Sequence, residues 1–282
     1  MHRRLCFTTI VVLGVVGFFA YLKSAELYDP MTHSFAATGQ LATPRAGHEA
    51  VLLPDGRVLI VGGVGLGWSF LASAEIYGPR TQSFTATGGM REARESHAAV
   101  RLRDGRVLVV GGHRGRGSAI AISRTAEVYD PATGRFSLTD SMRTRRHKHD
   151  ALALGDGRVM VTGGADERDN EAVYSNVESF DPATNRFRVA GSMRVGRYKH
   201  RGTGLLLPTG VVLLAGGATA AEEYDATSER SILVSSDVRM AGQFSAATLL
   251  RDGRVLITGG YGHNSGPRTN AWMYEPIAQR PR

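Results

Sequence analysis

Five pairs of adjacent glycines recur along the chain at nearly regular intervals. The pairs begin at residues 62, 111, 163, 216 and 259, so successive pairs are 49, 52, 53 and 43 residues apart. Before each pair come an apolar run, a tight turn such as Asp55-Gly56, and a second apolar run. Asp-Gly between two such runs is a strong hairpin signal, because the turn that matches strand twist needs positive φ at both central residues. Repeats of about 40–50 residues built from short strands are typical of the four-stranded blades of a propeller.

A third and a fourth apolar run complete the unit. The third run ends in an aromatic residue that is mostly followed by Asp-Pro or a related pair, and the proline marks a turn because it cannot continue a central strand. These aromatic residues are Tyr28, Tyr77, Tyr129, Phe180, Tyr224 and Tyr274. Seven residues later, the fourth run carries Phe35, Phe84, Phe136 or Phe187. No helical periodicity separates the runs, so we predict an all-β fold of four-stranded blades.

The repeated unit resembles the kelch repeat, which has Arg-x-x-His before the first strand, Gly-Gly after the second, and Tyr-Asp-Pro with a later aromatic. The first unit reads Arg45 and His48, Gly62-Gly63, Tyr77 and Phe84, and the resemblance runs through residues 24–276. It implies a β-propeller; bacterial members of the family include galactose oxidase-like enzymes, sialic acid mutarotases and proteins of unassigned role. We expect structural roles for the recurrent residues Arg45, His48, Gly62, Gly63, Arg94, His97, Gly111, Gly112, Arg146, His149, Gly163, Gly164, Gly216, Gly217, Gly259 and Gly260.

The two ends of the repeat leave the blade number open. The fourth unit has two extra residues before its Gly pair, and the fifth has Ala241 and Phe244 roughly where Arg and His would stand. The fifth unit also stops after its third strand, whereas residues 24–43 supply only a third and a fourth strand. We expect this N-terminal fragment to complete the blade begun at residue 241, because open edge strands invite aggregation. That gives five blades; a truncated member of a six- or seven-bladed family is the alternative.

An uncharged segment of 18 residues, 5–22, precedes the repeats. As a helix it would span about 27 Å, which nearly crosses a hydrocarbon core of about 30 Å. No small-x-small pair follows it to mark signal cleavage. We therefore predict a transmembrane signal-anchor at 5–22, with residues 1–4 in the cytoplasm, an extracytoplasmic kelch propeller at 24–276 and a tail at 277–282. A cleaved signal peptide that leaves a secreted or periplasmic protein, and a buried core helix, are the alternatives.

Positive charge is concentrated on one predicted face of the propeller. The formal net charge is +8, and lysine occurs only at residues 23, 148 and 199. In an antiparallel blade, the loop after strand two and the link to the next blade emerge on the same face, and these segments carry most of the basic residues. The repeated Arg45, Arg94, Arg146 and Arg197 are expected to bind backbone carbonyls. The non-repeated residues Arg114, Arg116, Arg143, Arg145, Lys148, Arg194 and Lys199 are candidates for binding an anion, and a solvated basic surface accounts for them equally well.

Nothing in the sequence singles out a catalytic or metal centre. The single cysteine, Cys6, lies in the apolar segment, so the Cys-linked tyrosine radical of galactose oxidase-like enzymes is not expected. His48, His97 and His149 recur at one repeat position, which spreads them over separate blades. A mutarotase-like activity would need an acid and a base on either side of a sugar, and no spacing singles out Glu222, Glu223 or His263 for it.

We therefore predict a non-enzymatic binding scaffold without a cofactor or a metal. Its partner would be an anionic glycan or a protein, and no nucleic acid is expected. Two aromatic loop residues, Trp68 and Phe70, could stack on a sugar ring or pack on a neighbour. A sugar-active enzyme on the same fold is the alternative function.

Overall fold

The computed structural model describes residues 9–11, 21–234, 242–261, 266–267 and 269–276. These residues form an all-β structure, interrupted by short 3-10 helices at Leu66–Trp68, Gly117–Ala119 and Asp169–Glu171. Several predicted features lie outside the described residues: the cytoplasmic start at 1–4, most of the anchor at 5–22, residues 241 and 263, and the tail at 277–282.

The described strands form sheets that follow one another along the chain. The N-terminal sheet contains β1 (Thr9–Val11), β2 (Glu26–Asp29) and β3 (Ser34–Ala37). Blade one and its loop ribbon contain β4 (Glu49–Leu52), β5 (Val58–Val61), β6 (Val64–Gly65), β7 (Ser69–Phe70), β8 (Ala74–Gly78) and β9 (Ser83–Thr87). Blade two and its ribbon contain β10 (Ala98–Arg101), β11 (Val107–Val110), β12 (His113–Arg114), β13 (Ala121–Ile122), β14 (Ala126–Asp130) and β15 (Arg135–Leu138).

The remaining strands form blades three to five. Blade three contains β16 (Asp150–Ala153), β17 (Val159–Thr162), β18 (Asn176–Asp181) and β19 (Arg186–Ser192). Blade four contains β20 (Gly204–Leu206), β21 (Val212–Leu214), β22 (Glu222–Asp225) and β23 (Arg230–Leu233). Blade five contains β24 (Ala246–Leu249), β25 (Val255–Thr258) and β26 (Ala271–Tyr274).

Five blades supply inner strands, which confirms the predicted five-blade propeller. The inner strands are β4, β10, β16, β20 and β24, and contacts join β4 to β10, β10 to β16, β16 to β20 and β20 to β24. Pairing within every blade is antiparallel. The Asp-Gly and Asp-Pro turns therefore lie on one face of the disc. The loops after the second strands and the links between blades lie on the other, which we call the loop-bearing face.

The core lies between neighbouring blades. Residues of the second strands β5, β11, β17 and β21 are buried throughout, which explains why these strands read as continuous apolar runs. Between blades one and two, for example, Leu59 and Ile76 pack against Val107 and Tyr129 of the next blade. Each blade therefore depends on its neighbour for the burial of one apolar face.

The N-terminal strands do not complete blade five, contrary to the prediction. Strands β2 and β3 pair with β1 in a sheet of their own, and β24 to β26 form a separate sheet of three strands. The reason is the register of β1: Thr9 lies opposite Tyr28 as Val58 lies opposite Tyr77. The N-terminal sheet therefore has the register of strands two, three and four of a blade, and no inner strand belongs to it among the described residues.

The predicted transmembrane helix at 5–22 is not supported. Residues 9–11 of this segment form β1, and the carbonyl of Leu22 accepts a hydrogen bond from the amide of Arg45 at 3.3 Å. Among the residues that the structure describes, no helix is long and apolar enough to cross a membrane. Membrane anchoring and an extracytoplasmic location remain predictions.

Candidate binding site on the loop-bearing face

The repeated arginines tie each link to the blade that follows it. Arg45 donates hydrogen bonds to the carbonyls of Gly62 at 2.9 Å and Ser73 at 3.1 Å, and its guanidinium lies 2.8 Å from the carboxylate of Glu75. Glu75 also accepts the backbone amide of Ala42 at 2.7 Å. The same pairing recurs in Arg94 with Glu127, Arg146 with Glu178, and Arg197 with Glu222. These four arginines are at most 3% exposed, so they do not present their charge to a ligand.

His97, His149 and His200 pack on the first glycine of the preceding blade's pair. A Cβ atom on Gly111 would lie 2.6 Å from Cε1 of His149. Burial lowers the pKa of His149 well below its ordinary value, and burial lowers that of His200 to about 3, so both rings are neutral at pH 7. Among the described residues, no group of three or more His, Cys, Asp or Glu is placed to hold a metal ion.

Five equivalent backbone positions surround the central channel on this face. They are Gly47, Ser96, Lys148, Lys199 and Phe244, and their φ angles are 63°, 53°, 53°, 53° and 55°. The amide of Lys148 donates to the carbonyl of Ser96 at 2.9 Å, Lys199 to Lys148 at 2.9 Å, and Phe244 to Lys199 at 2.8 Å. We call the cavity of about 210 Å³ that these positions line, together with Glu95, His149, Arg201 and Ser245, the channel mouth.

These hydrogen bonds correct the alignment of the fifth unit. Phe244 was expected roughly where the histidine stands, but its backbone bond places it at the position of Lys199. Gly242 takes the position of the arginine, because its carbonyl accepts the amide of Gly217 as the carbonyl of Arg197 accepts that of Gly164. Ser245 therefore takes the position of the histidine. Blade five thus lacks both side chains that fasten the other links.

A second cavity lies between the loops of blades one to three. It has a volume of about 360 Å³, and we call it the loop groove, defined by Trp68, Phe70, Glu95, His113, Arg116, Lys148 and Asp169. The guanidinium carbon of Arg116 lies 3.4 Å from the centroid of the Trp68 ring. Phe70 and His113 meet edge to face, with their ring centroids 5.5 Å apart. Trp68 has a φ of 63°, which is rare for a bulky residue and costs roughly 1–3 kcal/mol.

A polar network crosses the groove from blade two to blade four. Glu95 lies 3.3 Å from Nε2 of His113, and the Nδ1 atoms of His113 and His147 are 3.3 Å apart. Nε2 of His147 lies 3.0 Å from Asp169. Lys148 then binds Asp169 at 3.0 Å and the hydroxyl of Tyr198 at 2.9 Å.

Charge is distributed unevenly within this network. Burial and the positive charge of Lys148 lower the pKa of His147 to about 4, so its ring is neutral at pH 7. Burial raises the pKa of Asp169, but the hydrogen bonds from Tyr198 and Lys148 outweigh it and the net pKa is lowered. Asp169 therefore balances the charge of Lys148.

Lys199 occupies a different environment, formed by three aromatic rings. Its Nζ atom lies 4.8 Å, 5.5 Å and 5.6 Å from the ring centroids of Tyr198, Phe244 and Tyr261, and 3.3 Å from the hydroxyl of Tyr261. Within the described part of the chain, no carboxylate forms an ion pair with it. The rings favour the cation without neutralising it.

The two extra residues of the fourth unit bring Arg201 into the channel. The buried carboxylate of Asp150 accepts the amides of Gly202 at 3.0 Å and Gly204 at 2.8 Å, which holds the insertion in place. Arg201 lies 2.7 Å from Glu49 of blade one. Burial raises the pKa of Glu49 to about 7, although the charge of Arg201 opposes this shift.

The predicted basic residues do not form one patch. Lys148 and Lys199 line the channel mouth, and Arg116 lines the loop groove. Arg145 instead pairs with Glu167 at 2.7 Å on the exposed surface, and Nε of Arg194 donates to the carbonyl of Ser231 at 3.0 Å. Arg114 and Arg143 are exposed, and neither lines the two cavities.

The sequence interpretation missed His113, which lines the loop groove, and Tyr198 and Tyr261, whose rings lie around Lys199. His113 and Tyr261 directly follow a Gly pair, where the equivalent residues are Val64 and Ala165. Tyr198 stands between the repeated arginine and Lys199. The available signal was therefore a departure from the repeat at fixed offsets from the Gly pairs and the arginines.

Comparison with known proteins finds a family match for one of the repeats. Residues 96–143 match the family model of the kelch motif, a segment that begins just before blade two and ends in the link to blade three. A comparison with curated proteins finds no match to the chain.

Proposed function

We propose that this β-propeller, which carries a kelch motif at residues 96–143, is a non-catalytic scaffold that binds an anionic glycan on its loop-bearing face. The observation that carries the proposal is the loop groove, where aromatic and charged side chains converge in one cavity. Small-molecule sites are usually concave, with apolar and aromatic walls and a few polar groups that fix orientation. Loops held by a rigid scaffold are where such sites commonly lie.

The chemistry of the groove suits a sugar ring. Phe70 and the stacked pair of Trp68 and Arg116 line the groove, so the C–H face of a pyranose can pack on aromatic surface beside a guanidinium. Glu95, Asp169 and Lys148 offer acceptors and a donor for hydroxyl groups around that ring. The unusual backbone of Trp68 supports a functional role, because strained conformations cluster at ligand sites.

The preference for an anionic glycan rests on the charge of the whole protein and of the channel mouth. The formal net charge is +8, which attracts acidic polymers. Lys199 adds a cation that no carboxylate in the described residues neutralises, next to the groove. Binding should weaken with salt, because bound counter-ions are released from both surfaces.

The proposal is tested by titrating the full chain with polygalacturonate, which is acidic, and with dextran, which is neutral, at low and high salt. We expect salt-sensitive binding of polygalacturonate and weak binding of dextran. Trp68→Ala should weaken polygalacturonate binding about tenfold, as the loss of one aromatic contact worth about 1.4 kcal/mol implies. Phe35→Ala is the matched control, because Phe35 is a half-exposed aromatic residue on the N-terminal sheet, outside the groove. Equal affinity of the wild type and Trp68→Ala would contradict the proposal.

A sugar-active enzyme is the second candidate, favoured by one observation. Glu95 and Asp169 both line the groove and are connected through His113 and His147, so an acid and a base could act on one bound sugar. Product analysis of each titration by NMR distinguishes the two functions. Accelerated exchange between sugar anomers that Glu95→Gln abolishes would replace the scaffold with an enzyme.

A further inference from the structure

The channel mouth is a cavity separate from the loop groove. Its volume is about 210 Å³, and it shares only Glu95 and Lys148 with the groove. Lys199, Arg201 and Phe244 belong to the mouth alone. It is therefore a second place at which a ligand could bind.

Lys199 brings an unbalanced positive charge to this cavity. The three surrounding rings stabilise the ammonium group, yet they carry no negative charge to offset it. An ammonium group has three donors, and one of them is directed at the hydroxyl of Tyr261. Two donors are left for a ligand. A half-buried cation also interacts more strongly with an anion than one in bulk water, because the effective dielectric constant is lower.

The other charged groups at the mouth have partners of their own. Lys148 is paired with Asp169. Arg201 lies 2.7 Å from Glu49, whose pKa of about 7 leaves this carboxylate only partly ionised at pH 7. Glu95 accepts the hydroxyl of Ser96 at 2.8 Å and lies 3.3 Å from His113, and no lysine or arginine of the described residues forms an ion pair with it. His149 adds no charge at pH 7. The cavity is therefore lined by three cations, Lys148, Lys199 and Arg201, and one carboxylate, Glu95, and Lys199 is the cation for which the described residues provide no ion pair.

The backbone that carries Lys199 is held in place before any ligand arrives. Its amide donates to the carbonyl of Lys148, and its carbonyl accepts the amide of Phe244. These bonds join blades three, four and five at the channel. Binding would therefore require little ordering of the chain, which is the main cost that preorganised sites avoid.

We propose that the channel mouth binds one oxyanion group, a carboxylate or a phosphate, with Lys199 as its principal ligand. Lys148 and Arg201 add positive potential on either side. The proposal deepens the proposed function, because an acidic glycan would place its charged group here. It does not require glycan binding in the loop groove, so the two can fail separately.

The small number of lysines permits a direct test. Lysine occurs only at residues 23, 148 and 199, so a full chain labelled with 13Cε-lysine gives three side-chain signals. Inorganic phosphate, acetate, glucuronate and glucose are titrated in turn at constant ionic strength. We expect saturable shifts of the Lys199 signal with the three anions and none with glucose. Lys23 is exposed and outside both cavities, so it is the internal control.

Variants separate the proposed site from general charge effects. Lys199→Gln should weaken phosphate binding at least tenfold, whereas Lys199→Arg, which keeps the charge, should retain it. Arg57→Gln removes a cation from the opposite face and should change nothing. Trp68→Ala should leave the phosphate response intact, even if glycan binding is lost. Tighter binding of glucuronate than of phosphate would assign a carboxylate, and the reverse a phosphate; linear shifts of Lys199 that parallel those of Lys23 would overturn the proposal.

Discussion

Arg146 illustrates what each repeated arginine contributes. Its guanidinium is fully buried, donates to the carbonyl of Gly163 at 2.6 Å, and lies 2.9 Å from the equally buried carboxylate of Glu178. Burial lowers the pKa of Arg146, while the charge of Glu178 opposes that shift. Each of these two buried charges is stabilised by the other, since either one alone would have no counter-ion.

Replacing Arg146 with methionine should therefore lower the free energy of unfolding by about 3–5 kcal/mol, because Glu178 remains buried without a counter-ion. Arg57→Met is the control: its pair with Asp55 is more than 40% exposed on both sides, and its loss should cost less than about 0.5 kcal/mol. Urea unfolding of both variants measures the difference. A loss below about 1 kcal/mol for Arg146→Met would show that Glu178 finds another partner.

Glu49 should make stability depend on pH. Its folded-state pKa is raised by burial from 4.5 to about 7, so the folded protein holds a proton that the unfolded chain releases in this range. Stability should therefore fall as pH rises from about 4.5 to about 7, by at most about 1.4 kcal/mol per pH unit. Glu49→Gln cannot release that proton, so its stability should fall less over the same range. Urea unfolding of both proteins at pH 5, 6, 7 and 8 is the measurement, and parallel curves would contradict the assignment.

At the scale of single residues, the sequence predicted which arginines have a structural role. It did not predict which basic residue would lack an ion pair among the described residues. Repetition alone indicated that Arg45 and its equivalents bind backbone carbonyls, because a residue that recurs at one position of several repeats is expected to have the same structural role in each. Lys199 could not be distinguished from Arg143 or Arg194 in this way. Its surroundings come from Tyr198 and Phe244, on two different links, and from Tyr261, on the loop of blade five, and only the folded chain brings these residues together.

At the scale of the blade, the Gly pair is the element on which packing depends. In blades one to three, the first glycine of the pair has positive φ and lies directly against the histidine and the arginine carbonyl of the next link. Gly56, the glycine of an Asp-Gly turn, also has positive φ, but a Cβ atom added there would have no heavy atom within 4 Å. An alanine would therefore have a strained backbone at both positions, but only in the Gly pair would its Cβ atom also clash with neighbouring atoms.

Gly111→Ala should destabilise the protein by at least about 2 kcal/mol more than Gly56→Ala. Both changes place alanine at positive φ, which costs about 1 kcal/mol or more. Only at Gly111 does the new Cβ meet the carbonyl oxygen of Arg146, at 2.7 Å, as well as His149. Thermal unfolding of the two variants gives the comparison. Equal losses would mean that the link can move away from the pair.

The N-terminal segment shows why an element cannot always be assigned from sequence. An uncharged apolar run satisfies the pattern of a membrane helix and that of a buried strand. The Gly pair that marks the end of strand two elsewhere is Leu13-Gly14 at the equivalent distance, so the repeat was not recognised there. The pairing of Thr9–Val11 with β2 became visible only in the structure.

Across the whole molecule, the blades differ in the buried arginine–glutamate ion pairs that hold the links between them. Blades one to four carry the buried pair of arginine and glutamate, whereas Gly242 and Trp272 take these positions in blade five. Apolar packing of Val255 and Ile257 against blade four remains. The five-blade count followed from the five hairpins and Gly pairs. The missing ion pair of blade five depends on the register of the fifth unit, and comparing the repeats by sequence placed Phe244 at the wrong position.

Hydrogen exchange should reveal this difference between blades. Amides of β24 to β26 should exchange faster than those of β10, β11 and β14 under native conditions, because blade five can open without breaking a buried ion pair. Mass spectrometry of peptides from the two blades measures the rates. Equal protection would show that apolar packing alone sets the stability of a blade.

The five positions around the channel share one backbone conformation and carry four different residue types. Ser96, Lys148 and Lys199 have the same φ of 53°, so exchanging their side chains does not require the main chain to change. The ligand preference of the channel mouth can therefore be redesigned one residue at a time. Ser96→Lys, for instance, would add a third ammonium group to the mouth and convert a site for one anionic group into one for a polyanion.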